Sequence, residues 1–251
     1  MKHDFLDHHR AGDSPVHKAD PRLKVIMMVL YILVVVAIPY SAKHYFMYLT
    51  VIPVVLALAS GVSFFHFLSK LSKIYPMIFL ITFLLPFFPG GNGVGYHWGF
   101  LKIYEPGLQK FLMINIKSIL AMFMSIVLTT TTDFSMLLKG MEKLKVPRVM
   151  IIILSFMYRF IFLLIDETER MLMAFQSRYI RLPVFTRLKM LARQIGVLFI
   201  RTYERGERVY QAMDARGFSG EIYTIGELEW KFSDSMVLAV FLIFLCIPFL
   251  V

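Results

Sequence analysis

Two arginines hold the positions in this chain best suited to chemistry at a protein surface. Arg178 stands in Gln176-Ser177-Arg178-Tyr179, shortly before Pro183, and Arg216 stands in Asp214-Ala215-Arg216-Gly217-Phe218. Both fall where a long helical stretch should end. A cation in the last turn complements the negative end of the helix dipole, and Gly217 is a natural left-handed terminator. Ala215 is small enough to let a helix tip approach another protein closely. Either arginine alone would serve as a helix cap. Two such tips in a chain without a catalytic motif point instead to docking, and Ser177, Arg178, Ala215, Arg216 and Gly217 are the candidate docking residues.

Other constellations carry less. His3, His8 and His9 with Asp4 and Asp7 have the side chains that ligate a divalent metal, but in a polar tail they are expected to be solvated. Gly90 to Gly95 has the glycine content of a phosphate cradle without the following Lys-Ser/Thr or the preceding strand, and is expected to be an external connector. No His-Glu-x-x-His and no Gly-x-Ser-x-Gly occurs. A membrane-embedded enzyme would have to use Asp166, Glu167 or Glu169, which no partner base or metal cluster accompanies. Neither a catalytic residue, a metal site nor a cofactor is therefore expected. Lys117 and Asn115 lie within an apolar run, where polar groups are expensive. The expected arrangement for Lys117 is a buried stem with its ammonium reaching a backbone carbonyl or water. The single cysteine, Cys246, permits no intramolecular disulfide.

The elements that position these residues follow from hydropathy. Apolar residues make up 58% of the 251 and charged residues 18%, against about 45–50% and 25% in soluble domains. The excess is gathered into runs long enough to cross a bilayer. Val25 to Ala42 is expected as span one and Tyr45 to Ala59 as span two, with Pro53 as an internal kink. Ile74 to Phe88 is expected as span three, with Pro76 in its first turn. Leu108 to Thr129 is span four, and residues 235–251 are span five. The segment ahead of span one is polar and lacks the apolar core of a cleavable signal, so span one is expected to direct its own insertion.

Between spans four and five the pattern changes. Thr132-Asp133 should cap a short amphipathic helix running through Leu144 and stopped at Val146-Pro147. Residues 149–165 are apolar apart from Arg159 and continue without a breaker to Arg178. From Phe185 to Arg216 a second long helix is expected. Leu188, Leu191, Ile195, Leu198, Phe199 and Thr202 lie on one face, and Arg187, Arg193, Arg201, Glu204, Arg205 and Arg208 on the other. Its 32 positions would span about 48 Å, too long and too charged for a bilayer crossing.

Basic residues number five in 1–24, one in 41–44, two in 61–73, one in 89–107, four in 130–148 and twelve in 149–233. This alternation places the N-terminus, the 61–73 loop and the 130–233 region in the cytoplasm. The organisation read from the chain is a cytoplasmic segment 1–24, a four-span region 25–129, a cytoplasmic coupling-helix domain 130–233 and a last span 234–251. The fold class is an all-α integral membrane protein of about five transmembrane helices with long amphipathic helices inserted before the last. A crossing by 149–165 would leave Arg159 in lipid. The net charge of +10 fits basic loops facing anionic membrane lipids or an acidic partner; no nucleic-acid recognition pattern is present. A stand-alone channel or carrier would need a polar path through the spans, and neither internal repeats nor intramembrane charges provide one.

Arg208-Val209-Tyr210-Gln211-Ala212-Met213-Asp214-Ala215-Arg216-Gly217-Phe218 resembles the C-terminal signature of the T components of energy-coupling-factor (ECF) transporters, of the cobalt/nickel CbiQ type. Ser14 to Lys24 resembles that family's entry into its first span, and Leu137 to Pro147 its short helix ending in Val-Pro. The resemblance covers nearly the whole chain in order. One departure is that the family's Ala-Arg-small motif reads Ser177-Arg178-Tyr179 here, with the arginine kept. The resemblance implies a non-catalytic scaffold in a bacterial or archaeal cytoplasmic membrane. It implies two ABC-type ATPases, each receiving one arginine-bearing helix tip, and a separate substrate-binding membrane component. The implied substrate is Co²⁺ or Ni²⁺, linked to cobalamin biosynthesis and held on another subunit.

Overall fold

The computed structural model describes residues 14–39, 44–61, 64–87, 95–98, 101–178, 183–220 and 230–250. It divides into two compact units, residues 1–144 with 228–251 and residues 145–227.

The first unit is a helical bundle. It contains α1 (Pro15–Lys18), α2 (Pro21–Ala37), α3 (His44–Ala59), α4 (Phe64–Thr82), α5 (Glu105–Thr131), α6 (Phe134–Lys143) and α9 (Phe232–Leu250). The two intervening long helices, α7 (Arg148–Arg178) and α8 (Val184–Asp214), belong to the second unit. Helix α2 starts at Pro21, where a missing N–H costs nothing, and the Asp20 side chain caps it by accepting the Arg22 N–H. The buried residues Leu23, Met27, Tyr31 and Val35 recur every four positions and pack against Phe46, Leu49 and Ile52 of α3, Leu120 and Met124 of α5, and Phe241 and Leu245 of α9. A second cluster joins Ala57, Phe67, Ile126 and Val127.

Two prolines inside helices are matched by two tyrosines. Pro53 lies within α3 and has no N–H to give Leu49, four residues back; the Tyr31 hydroxyl donates to that carbonyl instead, at 3.1 Å. Pro248 leaves the carbonyl of Phe244 in the same state in α9, and the Tyr48 hydroxyl donates to it at 3.2 Å while its ring stacks on Phe244 at 4.0 Å. In an apolar surround a freed carbonyl is costly unless a neighbouring helix supplies a donor. The tyrosines therefore let α3 and α9 carry proline.

Polar groups within α5 are similarly committed. Asn115 donates to the Thr82 hydroxyl at 3.1 Å and to the Phe111 carbonyl at 2.7 Å. Lys117 reaches the Val36 carbonyl in the last turn of α2 at 2.7 Å, as expected of a stem-buried lysine. That carbonyl sits at the negative end of the helix. Lys24, buried at the start of α2, donates to the carbonyls of Thr131 and His17 and to the Thr132 hydroxyl, tying α2 to the end of α5.

Three expectations need correction. Span three does not begin with Pro76 in its first turn. Helix α4 starts at Phe64 and carries Pro76 in its interior, because the preceding Phe64–Lys73 stretch is itself helical and packs Phe67 against Phe123 at 5.4 Å. The 90–99 segment is not wholly a connector. Gly95–Trp98 (β1) and Leu101–Tyr104 (β2) pair antiparallel, Gly95 opposite Tyr104 and Trp98 opposite Leu101, so a small hairpin interrupts an otherwise helical fold among the described residues. Asp133 is the residue before α6, but its side chain makes no capping bond.

By length and composition, the segments Phe67–Phe87, Glu105–Thr131 and Arg148–Ser177 can each cross a membrane, with Tyr45–Ala59 and Phe232–Ile247 as shorter apolar helices. The chain is thus a multi-pass membrane protein of helical class.

Candidate functional site

The candidate site lies in the second unit. Helix α7 is continuous for 31 residues, as the unbroken pattern through Arg178 requires. It pairs with α8 by polar links in antiparallel order. Arg201 Nη1 lies 2.7 Å from Glu167 Oε1, and Gln194 Nε2 donates to the Met171 carbonyl at 3.4 Å. Glu167 follows the apolar 149–165 stretch, and its second oxygen lies 3.5 Å from Arg170 Nη2.

Met190, Leu191, Gln194, Leu198 and Thr202 form the half-buried stripe of α8, and no residue of that helix is fully buried. The apolar face read from sequence is therefore wider than its cover. Leu188, Ile195 and Phe199, expected on the same face, stand exposed, Phe199 at 70%. Helix α7 has a matching exposed row at every fourth position, Val149, Ile153, Met157, Ile161 and Ile165.

The end of α8 is built by hydrogen bonds around Gly217. Its φ of +78° is one that glycine adopts without penalty. This lets the Phe218 N–H turn back to the Met213 carbonyl at 3.1 Å and the Gly217 N–H to the Asp214 carbonyl at 2.9 Å. These two bonds form a Schellman closure. Helix α8 therefore ends at Asp214, two residues before the Arg216 end expected from sequence, and Ala215–Gly217 form the turn. Ala215, Arg216 and Gly217 are all exposed. The arginine is thus presented at a helix tip, next to carbonyls already satisfied.

At the other tip, Arg178 is the last residue of α7. Ser177 is exposed, and its hydroxyl donates to the Met173 carbonyl one turn back at 2.9 Å. Its polar group is thus spent on its own helix. Tyr179 lies outside the described residues. Arg178 precedes the start of α8 and Arg216 follows its end. The 31 residues of α8 put about 46 Å between those ends. The structure does not bring the two arginines together: they are two separate tips.

Among the described residues, no group of three or more His, Cys, Asp or Glu side chains is placed to hold a metal. His3, His8, His9, Asp4 and Asp7 lie outside the described residues, as does the Gly90–Val94 run. Asp166, Glu167 and Glu169 lie in succession on α7, and Glu167 is engaged by Arg201. Sequence reasoning missed the exposed row on α7. Its signal was the four-residue recurrence of Val149, Ile153, Met157, Ile161 and Ile165, hidden within a run that is apolar all round.

Residues 12–225 match the family model CbiQ, described as cobalt transport protein. The chain is 31% identical to the energy-coupling factor transporter transmembrane protein EcfT of Listeria innocua serovar 6a, over 95% of this chain and 94% of that protein. It is 32% identical to the protein of the same name from Bacillus selenitireducens, over 93% of this chain and 91% of that protein. Against its counterpart in Bacillus subtilis strain 168 the identity is 31%, over 83% and 82%. The chain therefore belongs to the CbiQ family, as a transmembrane energy-coupling component of ECF transporters.

Proposed function

We propose that this chain is the scaffold of a divalent-metal importer, for cobalt or nickel, in which two ABC-type ATPases dock at the Arg178 and Arg216 tips. ATP hydrolysis belongs to those partners, and a separate membrane component binds the metal. The observation that carries the reading is the exposed Ala215-Arg216-Gly217 turn, whose backbone is closed on itself and whose cation is presented outward. The cobalt transport description of the family supports the substrate. Two tips on opposite sides of an α8 rod suit two ATPases rather than one. The exposed apolar rows of α7 and α8 suit cover by a membrane partner, since large exposed apolar patches mark interaction surfaces. In this reading the N-terminus and the 130–233 region face the cytoplasm; α7, although long and apolar enough to span, is kept out of the bilayer by Arg159, and α2, α3, α4, α5 and α9 are the five helices that cross.

The test is co-purification. Removing one partner of a desolvated charge pair costs about 2–5 kcal/mol, and placing like charges together costs more. Arg216→Glu is expected to abolish recovery of the ATPases with this chain. Arg216→Lys should be intermediate because the planar fork is lost. Arg178→Glu should weaken recovery less, since Ser177 contributes no free polar group. Arg187→Glu, an exposed arginine near the start of α8, is the mild control. Wild-type co-purification and ATP-dependent uptake by the Arg178→Glu/Arg216→Glu double variant would overturn the proposal.

A further inference from the structure

A cavity of about 530 Å³ lies within the first unit, where α2 and α9 begin and α3 and α5 end. Its floor is apolar, formed by Leu23, Leu56, Met124, Leu128 and Val237. From Thr131 to Met124 it follows α5 for two turns, about 10 Å. The volume lies in the range of small-molecule sites. Four charged side chains belong to the lining: Lys18, Lys24, Lys231 and Asp234. Two of them are spent within the protein. Lys18 has its own partner, and Lys24 is committed to three oxygen acceptors.

Asp234 is different. It is 8% exposed, and its Oδ2 accepts the Lys231 N–H at 3.1 Å. Among the described residues nothing pairs with its other oxygen. A carboxylate held out of water in apolar surroundings is costly until a cation with N–H donors reaches it. Lys231 is exposed, and among the described residues its ammonium has no partner. The uncommitted charges of the cavity are thus one buried anion and one exposed cation. An anionic amphiphile would answer Lys231 alone, whereas a zwitterion answers both. We infer that the cavity is a binding site for phosphatidylethanolamine, with the ammonium on Asp234, the phosphate at Lys231 and part of an acyl chain on the apolar floor. A primary ammonium brings three donors to the carboxylate, and charge-assisted bonds are the strong ones. A choline headgroup carries no N–H, so the site tells the two zwitterions apart.

The experiment uses the full-length chain, stripped of lipid in a neutral detergent, with bound lipid read by native mass spectrometry. Three lipids with the same palmitoyl-oleoyl chains are compared. Phosphatidylethanolamine is expected to bind about tenfold more tightly than phosphatidylcholine or phosphatidylglycerol. Stepwise N-methylation of the ethanolamine should lower binding to the unaltered chain at each step. Phosphoethanolamine, which supplies the headgroup without the chains, should not compete at equal concentration. Asp234→Asn keeps a side-chain oxygen for the Lys231 N–H and should bring phosphatidylethanolamine down to the phosphatidylcholine level. Lys231→Gln should weaken all three lipids, because all three carry the phosphate. A photocrosslinking side chain at Ala59, an exposed lining residue, should label phosphatidylethanolamine. Equal binding of the three lipids, or competition by phosphoethanolamine, overturns the inference. So does unchanged binding after Lys231→Gln, an undiminished preference in a folded Asp234→Asn chain, or failure of the Ala59 probe to label the lipid. Should Asp234→Asn fail to fold, the methylation series decides, and binding that is flat across it overturns the inference.

Discussion

Tyr31→Phe removes one oxygen from a fully buried side chain and leaves its ring in place. The lost hydroxyl is the donor to the Leu49 carbonyl, which Pro53 prevents α3 from satisfying. Interhelical hydrogen bonds in membranes average about 0.6 kcal/mol and reach about 1.7, while a buried acceptor left without a donor costs about 1–3. With both contributions acting at one oxygen, Tyr31→Phe should destabilise the bundle by about 1–2 kcal/mol. The reasoning predicts more than a loss. In a Pro53→Ala background the residue 53 N–H can serve the Leu49 carbonyl itself, and the same Tyr31→Phe should cost roughly 0.5 kcal/mol or less. The assay is a double-mutant cycle on the purified chain unfolded reversibly in mixed detergent, with helix content as the signal. A coupling of about 1 kcal/mol is expected. A Tyr31→Phe cost that is the same in both backgrounds would refute the claim that the tyrosine answers the proline.

Three further outcomes test the packing, a helix interior and the orientation. A Cβ on Gly140 would lie 3.3 Å from the Arg22 nitrogen and the Pro21 carbonyl carbon, so Gly140→Val should cost about 1–3 kcal/mol through overpacking. Gly206→Ala, where nothing lies within 4 Å, should instead stabilise α8 by about 0.5–1 kcal/mol; both are read by the same unfolding assay. Single cysteines at Asn92 and Gly220 in a Cys246→Ala background should react with an impermeant maleimide from opposite sides, Asn92 from outside. Labelling of both from one side would disprove the proposed orientation.

The helical class was legible because a bilayer punishes every unpaired polar group, so long apolar runs have few alternatives to helix. The α8 terminus was legible for a local reason: Gly217 tolerates the positive φ that a Schellman turn needs. What escaped was non-local. The partners of the freed carbonyls at Leu49 and Phe244 are Tyr31 and Tyr48, and nothing near Pro53 or Pro248 announces them. Lys24 read as one more basic residue ahead of the first span, whereas its acceptors include Thr131 and Thr132, more than a hundred positions away. Pro76 reads as a helix start, because first-turn proline is common; packing of Phe67 on Phe123 places it in the interior of α4 instead. The hairpin at residues 95–104 was obscured by glycines that read as loop.

The candidate site was legible in its parts and not in its arrangement. Spacing alone marks Arg178 and Arg216 as helix-end cations, and it marks α8 as amphipathic. It does not say that α7 covers only one stripe of α8. That distinction matters for coupling. Glu167–Arg201 and Gln194–Met171 register the two helices against each other, while Leu188, Ile195 and Phe199 of α8 and the five-residue row of α7 stay exposed. An interface that left no apolar surface over would make the hairpin self-sufficient, and nothing would then tie its position to a partner. With that surface left over, burial by another protein adds stability that depends on where the hairpin sits. A force applied at the Arg216 tip can then be transmitted along about 46 Å of helix as a change in what those rows contact. In the proposed transporter, the arginine tips receive the motion and the uncovered apolar rows pass it on.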